Sequence, residues 1–295
     1  MNFPGLISQI FIFCIVLMAP QPSFAQEVKL NLPSQVNMSF DPFSGFSIAE
    51  TVKVSIVNSG LEPLDTRLII TPQIGNEFVL LRDSETLSFE INSSLGSTGH
   101  ASFEAPISLP ANSSEVALDL NITIYEGQYA DPGELQQDLS FMIIDAATLI
   151  PLSEEMSMRL AANIPVRAQV NLAGTSAGFS NGVTNARVDF GRLKSFDSRM
   201  INLQVRGNSD LDITMTSENA GYLINSQTSN SAKLPYSITM DGIQSDLVKP
   251  LILSRRPARS LNGSSFPVTI TIGVVDISLP EGRYQDLITI DVNPR

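Results

Sequence analysis

Apolar and polar residues alternate with a period of two along most of the chain, and the 3.6-residue period of a helix is nearly absent. Val52, Val54 and Ile56 alternate with Lys53 and Ser55; Ile201, Leu203 and Val205 with Asn202 and Gln204. Leu211, Ile213 and Met215 follow the same rule, as do Val268, Ile270 and Ile272, and Ile288, Ile290 and Val292. Successive side chains of a strand point to opposite faces, so each segment buries one face and wets the other, as strands of an antiparallel sandwich do. Turn-forming clusters separate them: Asn58-Ser59-Gly60, Gly96-Ser97-Thr98-Gly99, Asn181-Gly182 and Asn262-Gly263-Ser264. The pattern predicts an all-β chain built as two β-sandwiches.

An internal repeat supports the number two. Glu126-Gly127-Gln128-Tyr129 leads to Asp138-Leu139 and a strand, and Glu281-Gly282-Arg283-Tyr284 leads to Asp286-Leu287 and a strand. The first copy is expected to carry an insertion, Ala130 to Gln137, between the tyrosine and the strand. From Met156 to Leu172 every even position is apolar, a run longer than an ordinary strand. It reads as two strands in series with the hand-over at Pro165, since proline cannot donate to a ladder. The predicted units are residues 26–165 and 166–295, each a plausible size for one sandwich.

The first 25 residues carry no charged side chain, and Leu6 to Met18 forms an apolar run too short to span a membrane. Ser23-Phe24-Ala25 follows with small residues at the two positions a signal peptidase reads, so residues 1–25 are expected to be a signal peptide. Cys14 lies inside the apolar run, and the bulky Phe13 before it argues against a lipoprotein signal. Beyond Ala25 the chain holds no cysteine, so an exported domain would depend on strand pairing and burial without disulfides. No later stretch is long and apolar enough for a membrane span.

The chain has 18 basic and 30 acidic residues, a net charge of −12, which argues against nucleic acid and against docking on anionic lipid. With one histidine, one cysteine and no tryptophan, the sequence offers no nucleophile–histidine–acid set and no metal-ligand spacing. His100 sits in a Ser-Thr-Gly loop; Glu154 and Glu155 are adjacent and so face opposite ways on a strand. Asp131-Pro-Gly-Glu134 offers oxygen ligands for calcium but lacks the loop pattern of a dedicated site. The expectation is a non-enzymatic protein with no cofactor and no metal. The charge is divided unequally: residues 26–165 hold 5 basic and 19 acidic side chains, residues 166–295 hold 13 and 11. The two units therefore present different surfaces. The run Arg255-Arg256-x-x-Arg259 is either a solvated loop or a contact with an acidic domain or subunit.

The second unit resembles the spore coat protein U domain, shared with subunits of archaic chaperone–usher pili. The matching stretches are VDFGRL (188–193), INLQVRGNSDLDITMTSENAGYL (201–223), LPYSITMDG (234–242) and EGRYQDLITIDV (281–292). The first unit looks like a divergent copy, keeping MSFDPFSG (38–45), VKVSIVNSG (52–60) and EGQY (126–129). Members often carry cysteines near the first strands; here there are none.

The resemblance implies tandem immunoglobulin-like, pilin-type β-sandwiches, the second lacking its last strand. It also implies three partners: a periplasmic chaperone, an outer-membrane usher, and an adjacent subunit that fills the gap by strand addition. The sequence ends at Arg295, three residues after Val292, which is expected to leave nothing for a further strand. Ile288, Ile290 and Val292 are the expected groove residues of the last strand, and Val166, Ala168, Val170 and Leu172 the opposite wall. In the first unit Met156, Met158 and Leu160 are expected to form its own closing strand, and Val28, Leu30 and Leu32 its first. A self-sufficient acidic unit ahead of a pilin unit resembles a tip adhesin. Its candidate contacts with a surface or glycan receptor are the loop residues Phe43, Phe46 and Tyr129. Two alternatives stay open: a non-adhesive shaft or surface-coat subunit of the same family, and a self-contained carbohydrate-binding sandwich.

Overall fold

A computed structural model describes residues 28–99, 101–173, 179, 184–225, 227 and 232–295. The expected signal peptide with Cys14, the loop residue His100 and the turn Asn181-Gly182 lie outside the described residues. The chain is all-β: every regular element among the described residues is a strand. Among them no helix is long and apolar enough to cross a membrane. The first eleven strands are β1 (Val28–Asn31), β2 (Gln35–Ser39), β3 (Ile48–Asn58), β4 (Leu64–Pro72), β5 (Val79–Arg82), β6 (Glu85–Ser88), β7 (Glu90–Asn92), β8 (Phe103–Leu109), β9 (Ser114–Ile124), β10 (Gly133–Asp145) and β11 (Met156–Ile164). The others are β12 (Ala168–Ala173), β13 (Ser198–Gly207), β14 (Leu211–Ser217), β15 (Tyr222–Asn225), β16 (Lys233–Met240), β17 (Ile243–Ser245), β18 (Leu251–Arg255), β19 (Ser264–Ile272), β20 (Tyr284–Gln285) and β21 (Ile288–Pro294).

Strands β1 to β11 form two facing sheets, ordered β1-β3-β9-β7 and β2-β11-β10-β4-β8, with the β5–β6 hairpin attached to β10. Their inward residues make one core, in which Phe40, Phe103 and Phe141 are fully buried. Strands β12 to β21 form a second pair, β12-β13-β19-β16-β15-β20, with β17 beside β16, and β18-β14-β21, around a separate core. Alternation does in the structure what it dictates in the sequence: β8 buries every second residue from Phe103 to Leu109 and exposes the rest. The alternating run after Met156 divides into β11 and β12, joined by Pro165, Val166 and Arg167.

Two details differ from the sequence reading. The expected insertion Ala130–Gln137 is largely strand, because β10 begins at Gly133 and pairs with β11 from Gly133↔Ile164 onward. Gln137 is buried where the pattern calls for an apolar residue, and that hides the alternation. The repeat also slips by one residue. Leu139 is fully buried, whereas Leu287, its counterpart in the Asp-Leu match, is 60% exposed. A one-residue shift turns every side chain of a strand to the other face, so the structural partners of Leu139, Phe141 and Ile143 are Ile288, Ile290 and Val292.

Candidate functional site: a cleft beside an unpaired strand edge

The two sandwiches differ in how their last repeat strand is flanked. In the N-terminal one, β10 lies between β4 and β11, and Leu139, Phe141 and Ile143 are fully buried. In the C-terminal one, β21 pairs with β14 from Leu211↔Pro294 to Ser217↔Ile288, and its other edge pairs with no strand among the described residues. The consequence is visible in packing: Ile288, Ile290 and Val292 are only half-buried. The deficit extends beyond β21. Among the described residues the N-terminal core has more than twice as many fully buried apolar residues, while more of those packed on the C-terminal core are only partly covered.

The open edge borders a cleft of about 1000 Å³. Leu172 of β12 and Ile288 and Ile290 of β21 line it, and Ile201, Ile238 and Ile270 of the larger sheet form its floor. Residues 186–193, 275–276 and 279–287 line it as well, and Val188, Phe190 and Leu193 rest half-buried on the core beneath. β12 and β21 come into contact without forming a ladder. An exposed row of backbone N–H and C=O groups next to apolar pockets is the combination that strand addition uses: main-chain bonds supply affinity and alternate side chains fill the pockets.

Asp286 anchors the start of β21 at the cleft. Its carboxylate accepts from the Tyr236 hydroxyl at 2.5 Å, the Ser217 hydroxyl at 2.6 Å, and the Asn219 backbone N–H at 3.1 Å and side-chain amide at 2.9 Å. Burial, then the bond to Asp286, holds the Tyr236 phenol above its ordinary range, so it remains a neutral donor. Asp286 lies inside the EGRYQDL stretch that marked the repeat. Its role was not legible there, because its donors come from β14, β16 and the turn after β14, far away in sequence.

Of the expected groove residues, Leu172, Ile288 and Ile290 are brought together at the cleft. Ala168, Val170 and Val292 are half-buried on the same core but do not line it. Val166 is a correction: it lies in the connection before β12 and is 42% exposed, so it forms no wall. The expected closing residues sit in β11, where Met158 and Leu160 are fully buried and Met156 is partly buried. β1 pairs with β3 and buries Val28 and Leu30. Sequence reasoning missed the cleft floor, because alternation tells which residues face inward but not which of them stay uncovered.

The expected adhesive aromatics need a second correction. Phe43 is 3% exposed; its ring meets Tyr129 edge-on at 6.3 Å between centroids. Tyr129 is half-buried, its hydroxyl 3.0 Å from Asp131 Oδ1 and 3.4 Å from the Gly207 carbonyl. Burial, then the bond to Asp131, pushes its pKa up to about 12. Both rings belong to the junction between the sandwiches, Phe43 buried and Tyr129 only partly exposed. Phe46 alone is open, 73% exposed. Exposed apolar side chains instead gather at the opposite end of the N-terminal sandwich, with Leu61 82%, Leu149 59% and Ile150 60% exposed. Hydrogen bonds such as Ala146 N–H to Asp65 O and Asn112 N–H to Gly60 O bring their loops and the β8–β9 turn together. Asp131, considered for calcium, has its carboxylate taken by Arg256 at 3.3 Å and Arg259 at 3.0 Å. Among the described residues no three His, Cys, Asp or Glu side chains converge as a metal site.

No family model and no curated protein matches the chain. Among solved structures it is similar to a chain of the chaperone–tip adhesion subunit pre-assembly complex of the archaic chaperone–usher Csu pili of Acinetobacter baumannii, at 14% identity and a TM-score of 0.46 over 90% of this chain and 99% of that one. It is similar to the CFA/I adhesin of enterotoxigenic E. coli at 13% identity and a TM-score of 0.34, over 89% and 93%. It is also similar to the CupB6 tip adhesin of Pseudomonas aeruginosa at 10% identity and a TM-score of 0.36, over 90% and 94%. These are distant likenesses of fold.

Proposed function

We propose that the chain is a non-enzymatic subunit of a surface pilus assembled by strand complementation, placed at the tip and exported through the periplasm. Its C-terminal sandwich accepts a strand, first from a periplasmic chaperone at an outer-membrane usher and then from the adjacent subunit. Its N-terminal sandwich, completed by β11, attaches to a surface or glycan receptor. One observation carries this reading: among the described residues one edge of β21 is unpaired, and its half-covered Ile288 and Ile290 line a cleft with apolar Ile201, Ile238 and Ile270 beneath, whereas the equivalent strand β10 is paired on both sides. Covering Ile288 and Ile290 fully recovers part of the ~1.5–3 kcal/mol that each is worth when buried.

The test is titration of the chain from Gln26 onward with a fluorescent peptide alternating isoleucine or valine with serine over about nine residues, an ordinary strand length. Saturable binding with new amide protection on β21 by hydrogen exchange is the expected result. No binding, with β21 amides already protected, would reject the reading. For the attachment surface, Leu61→Ser, Leu149→Ser and Ile150→Ser combined should abolish retention on a hydrophobic support while leaving peptide uptake intact. These side chains are already in water, so each substitution should change fold stability by no more than about 0.5 kcal/mol.

A further inference from the structure

In every ion pair that crosses between the two sandwiches among the described residues, the cation comes from residues 166–295 and the carboxylate from the N-terminal half. Each half also pairs within itself at this face: Arg82 with Glu85, and Arg256 with Asp210 at 3.5 Å. Arg167 Nε lies 2.8 Å from Asp41, Arg256 3.3 Å from Asp131, and Arg259 3.0 Å from Asp131 with a further bond to Glu85. The Arg206 guanidinium lies 5.1 Å above the Phe43 ring and 4.1 Å above that of Phe179, and reaches the Phe43 carbonyl at 3.4 Å. This resolves the arginine run: Arg255 pairs with Asp241 of its own sandwich, while Arg256 and Arg259 reach across.

The acceptors are shielded from water. The side chains of Asp131 and Glu85 are 17% and 15% exposed, so their pairs are screened less than pairs on an open surface. Arginine's planar, stacking guanidinium suits such sites better than lysine's point charge. The connection itself is pinned. Buried Asn208 accepts the Arg167 backbone N–H at 2.7 Å and donates to the Pro165 carbonyl at 2.9 Å and the Ala130 carbonyl at 3.4 Å. The short connector has proline at its first position, which limits its freedom further.

We infer that this face is an arginine clamp that holds the two sandwiches as one rigid arm, and that it opens when its carboxylate–guanidinium pairs are broken. The clamp does not depend on a strand occupying the cleft. It gives the acidic residues Asp41, Glu85 and Asp131 a role inside the molecule rather than toward a partner.

The test is a distance measurement between spin labels at Lys53→Cys and Gln244→Cys, both exposed, in the chain from Gln26 onward, which has no other cysteine. The expected result is a single narrow distance at low salt. Arg256→Glu with Arg259→Glu should replace it by a broad distribution, with far-UV dichroism unchanged because both residues lie in an exposed loop. As an independent arm, the chain with native clamp residues in about 1 M salt, where the Debye length falls to ~3 Å, should broaden in the same direction. A distribution already broad at low salt, or a narrow one that survives the double charge reversal, would overturn the clamp.

Discussion

With Ile290→Arg the chain should lose uptake of the alternating peptide by about 30-fold or more while remaining folded. Ile290 stands on β21 opposite Met215 of β14 and lines the cleft. It is only half-covered, so a guanidinium placed there can turn out to water and the free protein tolerates it. The cost falls on the complex. A complementing strand would have to bury an unpaired charge, or leave its pocket unfilled and forfeit ~2 kcal/mol or more of apolar burial; each ~1.4 kcal/mol is tenfold in affinity. Thr289→Arg, one residue away on the exposed face, is the matched control and should bind as the unsubstituted chain does. Peptide titration of both variants checks the prediction. Equal affinities would mean that the peptide does not lie along β21.

Leu160→Asp should produce the opposite pattern: collapse of the N-terminal sandwich with the C-terminal one untouched. Leu160 is fully buried and paired with Gln137, at the centre of the ladder that closes β10. Truncation to alanine alone would cost roughly 2–5 kcal/mol. An aspartate adds the penalty of a carboxylate with no partner in an apolar core, which together rivals the ~5–15 kcal/mol total stability of an ordinary domain. Hydrogen exchange read by mass spectrometry separates the halves. Amides of β3 and β9 should lose protection, and those of β13 and β19 should keep it, since the two cores are separate. Loss of protection in both halves would show that they fold as one cooperative unit.

The two variants probe the two sides of one kind of seam, Ile290 on the strand left open and Leu160 on the strand that closes its counterpart β10, and the sequence distinguishes the two halves only partly. Alternation identified the strands and their inward faces, because burial on one face leaves a period of two that no tertiary contact alters. That Ile288 and Ile290 border a gap was implied by the resemblance to pilin-type domains, not by alternation. The arrangement around the gap was less legible. Ile201, Ile238 and Ile270 read like any other core positions, and only the sheet order leaves them beneath an opening. Gln137 concealed the start of β10, and the shared Asp-Leu dipeptide suggested a register one residue away from the true one. Phe43 and Tyr129 misled for a related reason. Aromatics in a Gly- and Pro-rich loop look exposed from local sequence, and they are covered here by Arg206 and Gly207, residues far along the chain.

The position of β11 has a practical consequence for dissecting the molecule. It is the element that seals β10, yet only three residues separate it from β12, in the wall of the other sandwich. A fragment cut just ahead of Met156 would leave the β10 edge from Gly133 to Phe141 unpaired and create a second hungry edge. Two such fragments, or a fragment and an intact chain, would then be prone to exchange segments. Any split of the halves should therefore fall within Pro165–Arg167.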